Sequence, residues 1–247
     1  METGDFLARL ADEGEALIGA ALRAGPGAAV PSCPDWRVRD LVSHQGNVHR
    51  WAATFVGERR REPLPMPVGR VPDGELADWF RDGHRSLLAV LREASEDLVC
   101  WSFLPGSPTS RHFWARRQAH ETTVHRVDAE LAAGSPVSAV PAELAADGVA
   151  ELLTGFHGRP RSRVRSARPR TLGIRATDRP EAHWRVVISD EPPRAERAGA
   201  DTPVECEISG PAEALYLALW NRRRFADGLA VRGDAALAEL WRTTSGV

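Results

Sequence analysis

The spacing of apolar residues changes once along this chain of 247 residues, and that change limits the folds open to it. Up to about position 156, apolar residues recur every three to four positions, which is typical of amphipathic helices. Segments rich in glycine and proline interrupt this pattern. The spacing predicts four long helices and a shorter fifth, at 5–23, 36–56, 74–94, 110–132 and 141–156. Four long amphipathic helices joined by loops predict a helical bundle.

Beyond position 170 the apolar period falls to two, which is typical of half-buried strands. The predicted strands lie at 172–176, 184–188 and 204–208, and helical spacing resumes at 211–223 and 235–241. The segment 158–170, GRPRSRVRSARPR, contains six arginines, two prolines and no acidic residue, and this composition predicts a linker. The sequence therefore predicts an α+β fold with two domains, a bundle at 1–157 and a small α+β domain at 171–247.

Charge and cysteine content exclude several classes of protein. The chain carries 32 basic and 34 acidic residues, a net charge of -2, which excludes a strongly basic nucleic-acid-binding protein. Cys33, Cys100 and Cys206 form no CxxC pair, so neither a disulfide framework nor a thiolate zinc site is indicated. There is no signal-peptide pattern and no apolar run long enough for a membrane span. We expect a cytoplasmic monomer or homodimer that binds neither nucleic acid nor membranes.

Histidines on two of the predicted helices form a candidate metal site. His44 and His49 lie on the second helix, and His120 and His125 lie on the fourth. Glu121 and His125 are four residues apart, so their side chains leave the same face of the helix one turn apart. His44, on a neighbouring helix, is the candidate third ligand. Two histidines and one carboxylate leave a coordination position open, as in catalytic zinc sites, and nickel or iron also fits such ligands.

The same residues also have a purely structural interpretation. Glu121 can form a surface ion pair with Arg117, and His125 can be a hydrogen-bonded histidine between helices. His49 and His120 point away from the face of the candidate site and are interpreted as structural. The tryptophans of the helical region are expected in the core rather than in a ligand cage. They are Trp36, Trp51, Trp79, Trp101 and Trp114.

Four segments carry the pattern of a known family. They are SCPDWRVRDLVSHQGNVHRWA at 32–52, FWARRQAHETTVHRVDAE at 113–130, PAELAADGVAEL at 141–152, and ALYLALWNRR at 214–223 followed by LAVRGD. In this order they resemble the mycothiol-dependent maleylpyruvate isomerase family over nearly the whole chain. The resemblance implies a DinB-like metal-binding four-helix bundle followed by a small, sterol-carrier-like α+β domain.

The resemblance also implies which residues hold the metal. In the family, the ligands are the histidine of a DLVxH segment and the glutamate and second histidine of HExxxH. These positions correspond to His44, Glu121 and His125, the set that the spacing proposes.

Three arginines are candidates for binding substrate or cofactor. The resemblance implies that an arginine of the C-terminal domain lies at the active-site cleft and serves activity, which here is Arg222. Asn221 precedes it where the family has glycine, so a changed local backbone is expected. Arg222 also fits a structural role as a favourable charge at a helix end. Arg116 and Arg117 either bind a carboxylate of the cofactor or substrate, or pair with acidic residues of their own helix.

The leading hypothesis is a mycothiol-dependent isomerase or S-transferase. Bound Zn²⁺, or another divalent metal, would deprotonate the thiol of mycothiol, and the thiolate would attack an electrophilic small molecule. Its partners are therefore a low-molecular-weight thiol and a small electrophile. Two alternatives are a metal-dependent hydrolase that uses bound water and a non-catalytic ligand-binding module on the same scaffold.

Overall fold

The computed structural model describes residues 1–199 and 201–246, which form two compact units. The first comprises Met1–Ser138, and the second begins at Ala139. Helices make up the first unit and a mixed sheet with helices makes up the second, so the predicted α+β class is confirmed. No helix within these described stretches is long and apolar enough to cross a bilayer.

Four long helices form the first unit, as the apolar spacing predicts. They are α1 (Thr3–Ala24), α2 (Val38–Gly57), α3 (Leu76–Glu93) and α4 (Ser110–Ala132). Helix α1 packs on α3 and α4, and α2 packs on the same two helices, so the four enclose one core. Its buried side chains include Phe6, Leu17, Leu41, Phe80, Leu87 and Ala129. This arrangement brings α2 and α4, the two helices that carry the histidine pairs, into contact.

Local caps explain where these helices begin and end. The Thr109 hydroxyl accepts a hydrogen bond from the His112 amide at 3.1 Å, which starts α4 at the predicted position. Gly25 follows α1 with a φ of 81°, a left-handed conformation that glycine adopts without strain. Helix α2 begins later than the spacing predicts, at Val38, because residues 30–36 form a hydrogen-bonded turn before it.

A buried ion network links α1 to α4. The Arg126 guanidinium donates to Glu13 at 2.7 Å and to Glu130 at 2.6 Å. It also donates to the Ser138 carbonyl at 2.7 Å, while the Ser138 amide and hydroxyl donate to Glu130. Burial lowers the pKa of Arg126, but the two carboxylates raise it by more than burial lowers it. The pKa of Arg126 therefore lies above its ordinary value. Arg126 is therefore charged, and the carboxylates of Glu13 and Glu130 stabilise that charge.

The second unit begins with a helix that the apolar spacing predicts as part of the bundle. Helix α5 (Ala142–Ala150) continues into a π-helical segment, Glu151–Phe156. It packs on α6 (Ala212–Leu219) of the same unit. The compact units consequently divide after Ser138, upstream of the linker predicted at 158–170. The helical pattern locates this helix but does not indicate which unit it packs with.

A five-stranded mixed sheet forms the centre of the second unit, with the strand order β3-β2-β1-β4-β5. The strands are β1 (Arg170–Ala176), β2 (His183–Ile188), β3 (Arg194–Arg197), β4 (Cys206–Gly210) and β5 (Ala230–Gly233). Strand β1 pairs antiparallel with β2 and parallel with β4. Helices α6 and α7 (Ala235–Thr244) both pack on β1 and β4.

The two edge strands, β3 and β5, were not predicted from the sequence. Strand β3 is the polar segment RAER, and all four residues of β5 are exposed. A strand that buries neither face has no alternating apolar pattern to reveal it. By contrast, β1, β2 and β4 carry the buried residues whose alternation predicts them.

One histidine of the second unit is buried in an environment that disfavours its charged form. His157 Nδ1 lies 2.9 Å from the Ser162 hydroxyl, and its ring is 4.6 Å from the Trp241 ring. Its Nε2 has no hydrogen-bond partner among the described residues. Burial, with smaller effects of Arg159 and Arg165, lowers the pKa of His157 to about 4. His157 is therefore neutral in the folded protein at neutral pH.

We expect this histidine to make the protein less stable in mild acid. The unfolded chain takes up the proton near pH 6.5 and the folded chain only near pH 4, so stability is lost as the pH falls between these values. The shift corresponds to a loss of about 2 kcal/mol at pH 5. Urea unfolding at pH 7 and pH 5 should show a smaller loss for His157→Gln than for the wild type. An equal pH dependence in the two proteins would contradict this assignment.

Candidate metal centre

The three predicted ligands lie together in the first unit. Glu121 Oε1 is 3.4 Å from His125 Nε2 and 3.6 Å from His44 Nε2. One candidate ligand atom from each residue lies within 4.8 Å of the other two. The His44 and His125 rings meet edge to face, with centroids 5.2 Å apart. The contact between α2 and α4 thus brings two imidazoles and one carboxylate together around one point.

The site is open on one side. The side chains of His44 and Glu121 are 25% and 24% exposed, whereas that of His125 is 9% exposed. A pocket of about 350 Å³ lies beside His44. Asn47 donates to the Gly69 carbonyl at 3.1 Å, and this hydrogen bond anchors the loop that follows α2 to that helix. The apolar side chains that line the pocket are Trp36, Met66, Pro67 and Val68.

Arg117 holds the carboxylate of Glu121 from the buried side. Its side chain is 2% exposed, and its guanidinium donates to Glu121 Oε2 at 2.7 Å, which leaves Oε1 facing the histidines. Burial raises the pKa of Glu121, but Arg117 and the hydrogen bonds from His125 and His44 lower it more, to well below its ordinary range. The expected ion pair between Arg117 and Glu121 therefore forms, and it keeps Glu121, the candidate ligand, ionised. Arg116, the residue before Arg117 on α4, is half-buried.

A residue outside the predicted ligand set, Asp128, holds His125 on its other ring nitrogen. Its Nδ1 lies 2.9 Å from Asp128 Oδ2, and Asp128 is fully buried. Burial lowers the pKa of His125, but the carboxylates of Asp128 and Glu121 raise it more, so its pKa lies above the ordinary value. The i, i+3 spacing of histidine and aspartate is the signal that would have revealed this contact.

Trp36 packs at the edge of the hydrophobic core and also contacts the site. Its ring lies 4.9 Å from the His44 ring and 5.9 Å from the His125 ring, and the side chain is half-buried. Trp114, by contrast, is fully buried, as expected. Helical spacing does not distinguish the two, because Trp36 lies in the turn before α2, whereas Trp114 lies within α4.

His49 on α2 and His120 on α4 do not join the triad, as expected. His49 is fully buried, with its Nε2 3.0 Å from the Thr122 hydroxyl. Burial lowers the pKa of His49 to well below its ordinary value. His120 is also buried, and its ring lies 5.9 Å from the Phe6 ring.

Arg222 lies in the second unit, directly after α6. Its Nη1 donates to the Trp220 carbonyl at 2.8 Å. It lines a pocket of about 460 Å³ together with Asn221, Arg223, Arg224, Asp227 and Arg242. Asn221 has a φ of 61°, a left-handed conformation that favours glycine and that asparagine tolerates best among the other residues. Asparagine in place of the glycine that the resemblance implies at this position is thus compatible with a left-handed backbone before the arginine.

The backbone at Asn221 provides a simple test of this compatibility. The left-handed region costs most L residues roughly 1 to 2 kcal/mol, and asparagine tolerates it better than alanine because its short polar side chain can hydrogen-bond locally. We therefore expect Asn221→Ala to lower the free energy of unfolding by about 1 kcal/mol. We expect Asn221→Gly to cost less, because glycine adopts positive φ freely. Urea unfolding of both variants measures the difference. Equal free energies of unfolding for the two variants would show that the positive φ of residue 221 does not determine how well a residue is tolerated there.

Fold and site together define an α+β protein whose helical bundle carries a candidate centre of two histidines and one carboxylate. The sequence profile of the mycothiol maleylpyruvate isomerase N-terminal domain matches residues 7–130, and that of the family's C-terminal domain matches residues 143–240. The chain therefore belongs to the mycothiol maleylpyruvate isomerase family, as the resemblance predicts.

Solved structures support the fold independently. The chain is similar to the crystal structure of a mycothiol-dependent maleylpyruvate isomerase, at 14% identity and a TM-score of 0.59, over 94% of this chain and 93% of that one. A histidine-to-alanine mutant of a mycothiol-dependent maleylpyruvate isomerase is similar at 14% identity and a TM-score of 0.60, with the same coverage. No curated protein matches the chain in sequence.

Proposed function

We propose that the protein is a metal-dependent, mycothiol-using enzyme, either a maleylpyruvate-isomerase-like cis/trans isomerase or a thiol S-transferase. The observation that carries the proposal is the convergence of His44, Glu121 and His125 on one point. Membership of the isomerase family supplies the thiol and the reaction class. A resident divalent metal and its identity as Zn²⁺ are part of the proposal.

The donor set and its spacing fit a divalent metal. Ligand atoms about 2.1 Å from a tetrahedral Zn²⁺ lie about 3.4 Å from one another. The Glu121 oxygen lies 3.4 Å and 3.6 Å from the two histidine nitrogens, close to that spacing. Three protein ligands leave one position for a further ligand, as in catalytic zinc sites. When bound there, the ion supplies the charge that keeps a coordinated thiol deprotonated at neutral pH.

The surrounding residues provide the binding site and the orientation. Arg117 keeps Glu121 ionised and fixes which of its oxygens faces the histidines. Trp36 covers one side of both imidazoles, while the pocket beside His44 leaves room for a small ligand. We also propose that Arg222 and Arg116 bind carboxylate groups of the substrate or cofactor, and that Arg117 contributes through Glu121.

The two reaction types differ only after the first bond forms. In the isomerase reaction, the thiolate adds to one carbon of a conjugated double bond, and the adduct rotates about the resulting single bond. Elimination of the thiolate then breaks the new carbon–sulfur bond and restores the double bond in the trans geometry. In the transferase reaction, the thiolate displaces a leaving group and the carbon–sulfur bond remains. The same thiol-binding site serves both reactions.

The test is thiol-dependent turnover of the purified, untagged protein with and without a chelator. We expect about one metal ion per chain, turnover of maleylpyruvate or of chlorodinitrobenzene only with added mycothiol, and loss of that turnover after chelation with recovery on adding Zn²⁺. Hydrolysis of an ester or amide without any thiol would favour the hydrolase. A folded protein without metal or turnover would favour the ligand-binding module.

A further inference from the structure

Two hydrogen bonds connect His125, through Asp128, to the turn before α2. Asp128 lies one turn further along α4 and uses both of its carboxylate oxygens. Oδ2 is 2.9 Å from His125 Nδ1, and Oδ1 accepts a hydrogen bond from the Ser32 hydroxyl. Asp128 is completely buried, so water does not compete for these contacts. A chain of three side chains therefore runs from the turn before α2 to the candidate ligand.

The direction of these hydrogen bonds determines which nitrogen of His125 is free to bind a metal. A carboxylate only accepts hydrogen bonds, so Nδ1 of His125 must be the donor to Asp128. With the proton on Nδ1, the neutral imidazole keeps a lone pair on Nε2. Nε2 is the atom that lies 3.4 Å from Glu121 Oε1, on the side of the candidate centre. Asp128 thus selects the tautomer that a ligand at this position requires.

The turn before α2 is built to present Ser32 and Trp36 on the same side. The Cys33 amide donates to the Val30 carbonyl at 3.0 Å, and the Trp36 amide donates to the Cys33 carbonyl at 2.8 Å. The Val30 amide in turn donates to the Trp36 carbonyl at 3.1 Å, which closes the turn. Ser32 then reaches Asp128, while Trp36 lies against the His125 ring, with centroids 5.9 Å apart.

We propose that Asp128 is a positioning residue of the metal centre, and that Ser32, presented by the turn at 30–36, holds Asp128 in place. The inference rests on the proposed function, because it concerns the metal at that site. Asp128 acts through His125 by fixing its tautomer and ring orientation, and it does not itself bind the metal. Such outer contacts to a ligating histidine typically contribute 10- to 100-fold to metal affinity.

The experiment measures Co²⁺ binding to the metal-free protein, by its visible absorption spectrum and by competition with a chelator. Asp128→Asn keeps an oxygen that accepts from Nδ1, whereas Asp128→Ala removes it. We expect affinity to fall in the order wild type, Asp128→Asn, Asp128→Ala, by about 10- to 100-fold for the alanine variant. Ser32→Ala should weaken binding less, in the same direction. The matched control is Ser95→Ala, because Ser95 also donates to an aspartate, Asp97, on the exposed surface.

A second readout separates positioning from a general loss of structure. Nitrogen-15 spectra of the imidazoles report which ring nitrogen carries the proton, and we expect the Zn²⁺-loaded wild type to carry it on Nδ1 of His125. Loss of that single tautomer in a folded Asp128→Ala variant would support the proposal. If Asp128→Ala does not fold, Asp128→Asn and Ser32→Ala decide the question through their Co²⁺ affinity.

The outcomes distinguish this inference from the proposed function. A wild type that binds no Co²⁺ would remove the metal from the proposed function, and this inference with it. A wild type that binds Co²⁺ while the folded Asp128 and Ser32 variants bind it equally well would overturn the inference alone. Reduced stability with unchanged Co²⁺ affinity would assign Asp128 a purely structural role and would also overturn it.

Discussion

Replacing Glu121 with glutamine is expected to remove the bound metal and to lower thiol-dependent turnover by at least about 1,000-fold, a barrier increase of several kcal/mol. The substitution removes the one negative charge among the three ligand groups. The glutamine oxygen still accepts a hydrogen bond from Arg117, whose side chain is 2% exposed. We therefore expect the fold to survive, with a loss of stability of about 1 to 2 kcal/mol.

Metal content, turnover and urea unfolding of the same preparations test this prediction. Glu93→Gln is the matched control, because Glu93 lies exposed on α3 and should change none of the three quantities. His44→Ala and His125→Ala should lose metal and turnover as Glu121→Gln does. A folded His44→Ala variant that turns over at the wild-type rate would contradict the assignment of the metal centre.

Replacing Arg126 with methionine is expected to destabilise the first unit by about 3 to 5 kcal/mol, the usual cost of breaking a buried ion pair from one side. Arg126 is 1% exposed and is the cation that links Glu13 of α1 to Glu130 of α4. Without it, two carboxylates remain buried together. This cost approaches the total stability of many domains, so we expect partial unfolding at room temperature.

Urea unfolding, with and without neutralisation of the partners, measures this effect. The combination of Arg126→Met with Glu13→Gln and Glu130→Gln should recover much of the lost stability, because no charge then remains buried. The control is Arg85→Met, which removes an exposed ion pair to Asp82 and should cost less than about 0.5 kcal/mol. Equal losses for Arg126→Met and Arg85→Met would show that the network carries no stability.

Part of the candidate site is predictable from the sequence, and part depends on the tertiary structure. The positions of Glu121 and His125 on one helix face follow from helical geometry alone, so their proximity was predicted without knowledge of the tertiary structure. His44 was placed with them by the pairing of two histidine-bearing helices and by the family pattern, and the structure brings it within 4.8 Å. The family pattern locates Arg222 and Asn221, whereas the left-handed backbone of Asn221 is visible only in the structure.

The sequence by itself determined the four long helices, the three inner strands and the pair of candidate ligands on α4, because each depends on a local period. Only the tertiary structure placed α5 with the second unit, paired the edge strands β3 and β5, and set Ser32 and Trp36 against residues of α4. It also buried Arg117 against Glu121. Contacts between residues distant in sequence depend on how helices and turns pack, and an apolar period specifies which face of a segment is buried but not which partner covers it.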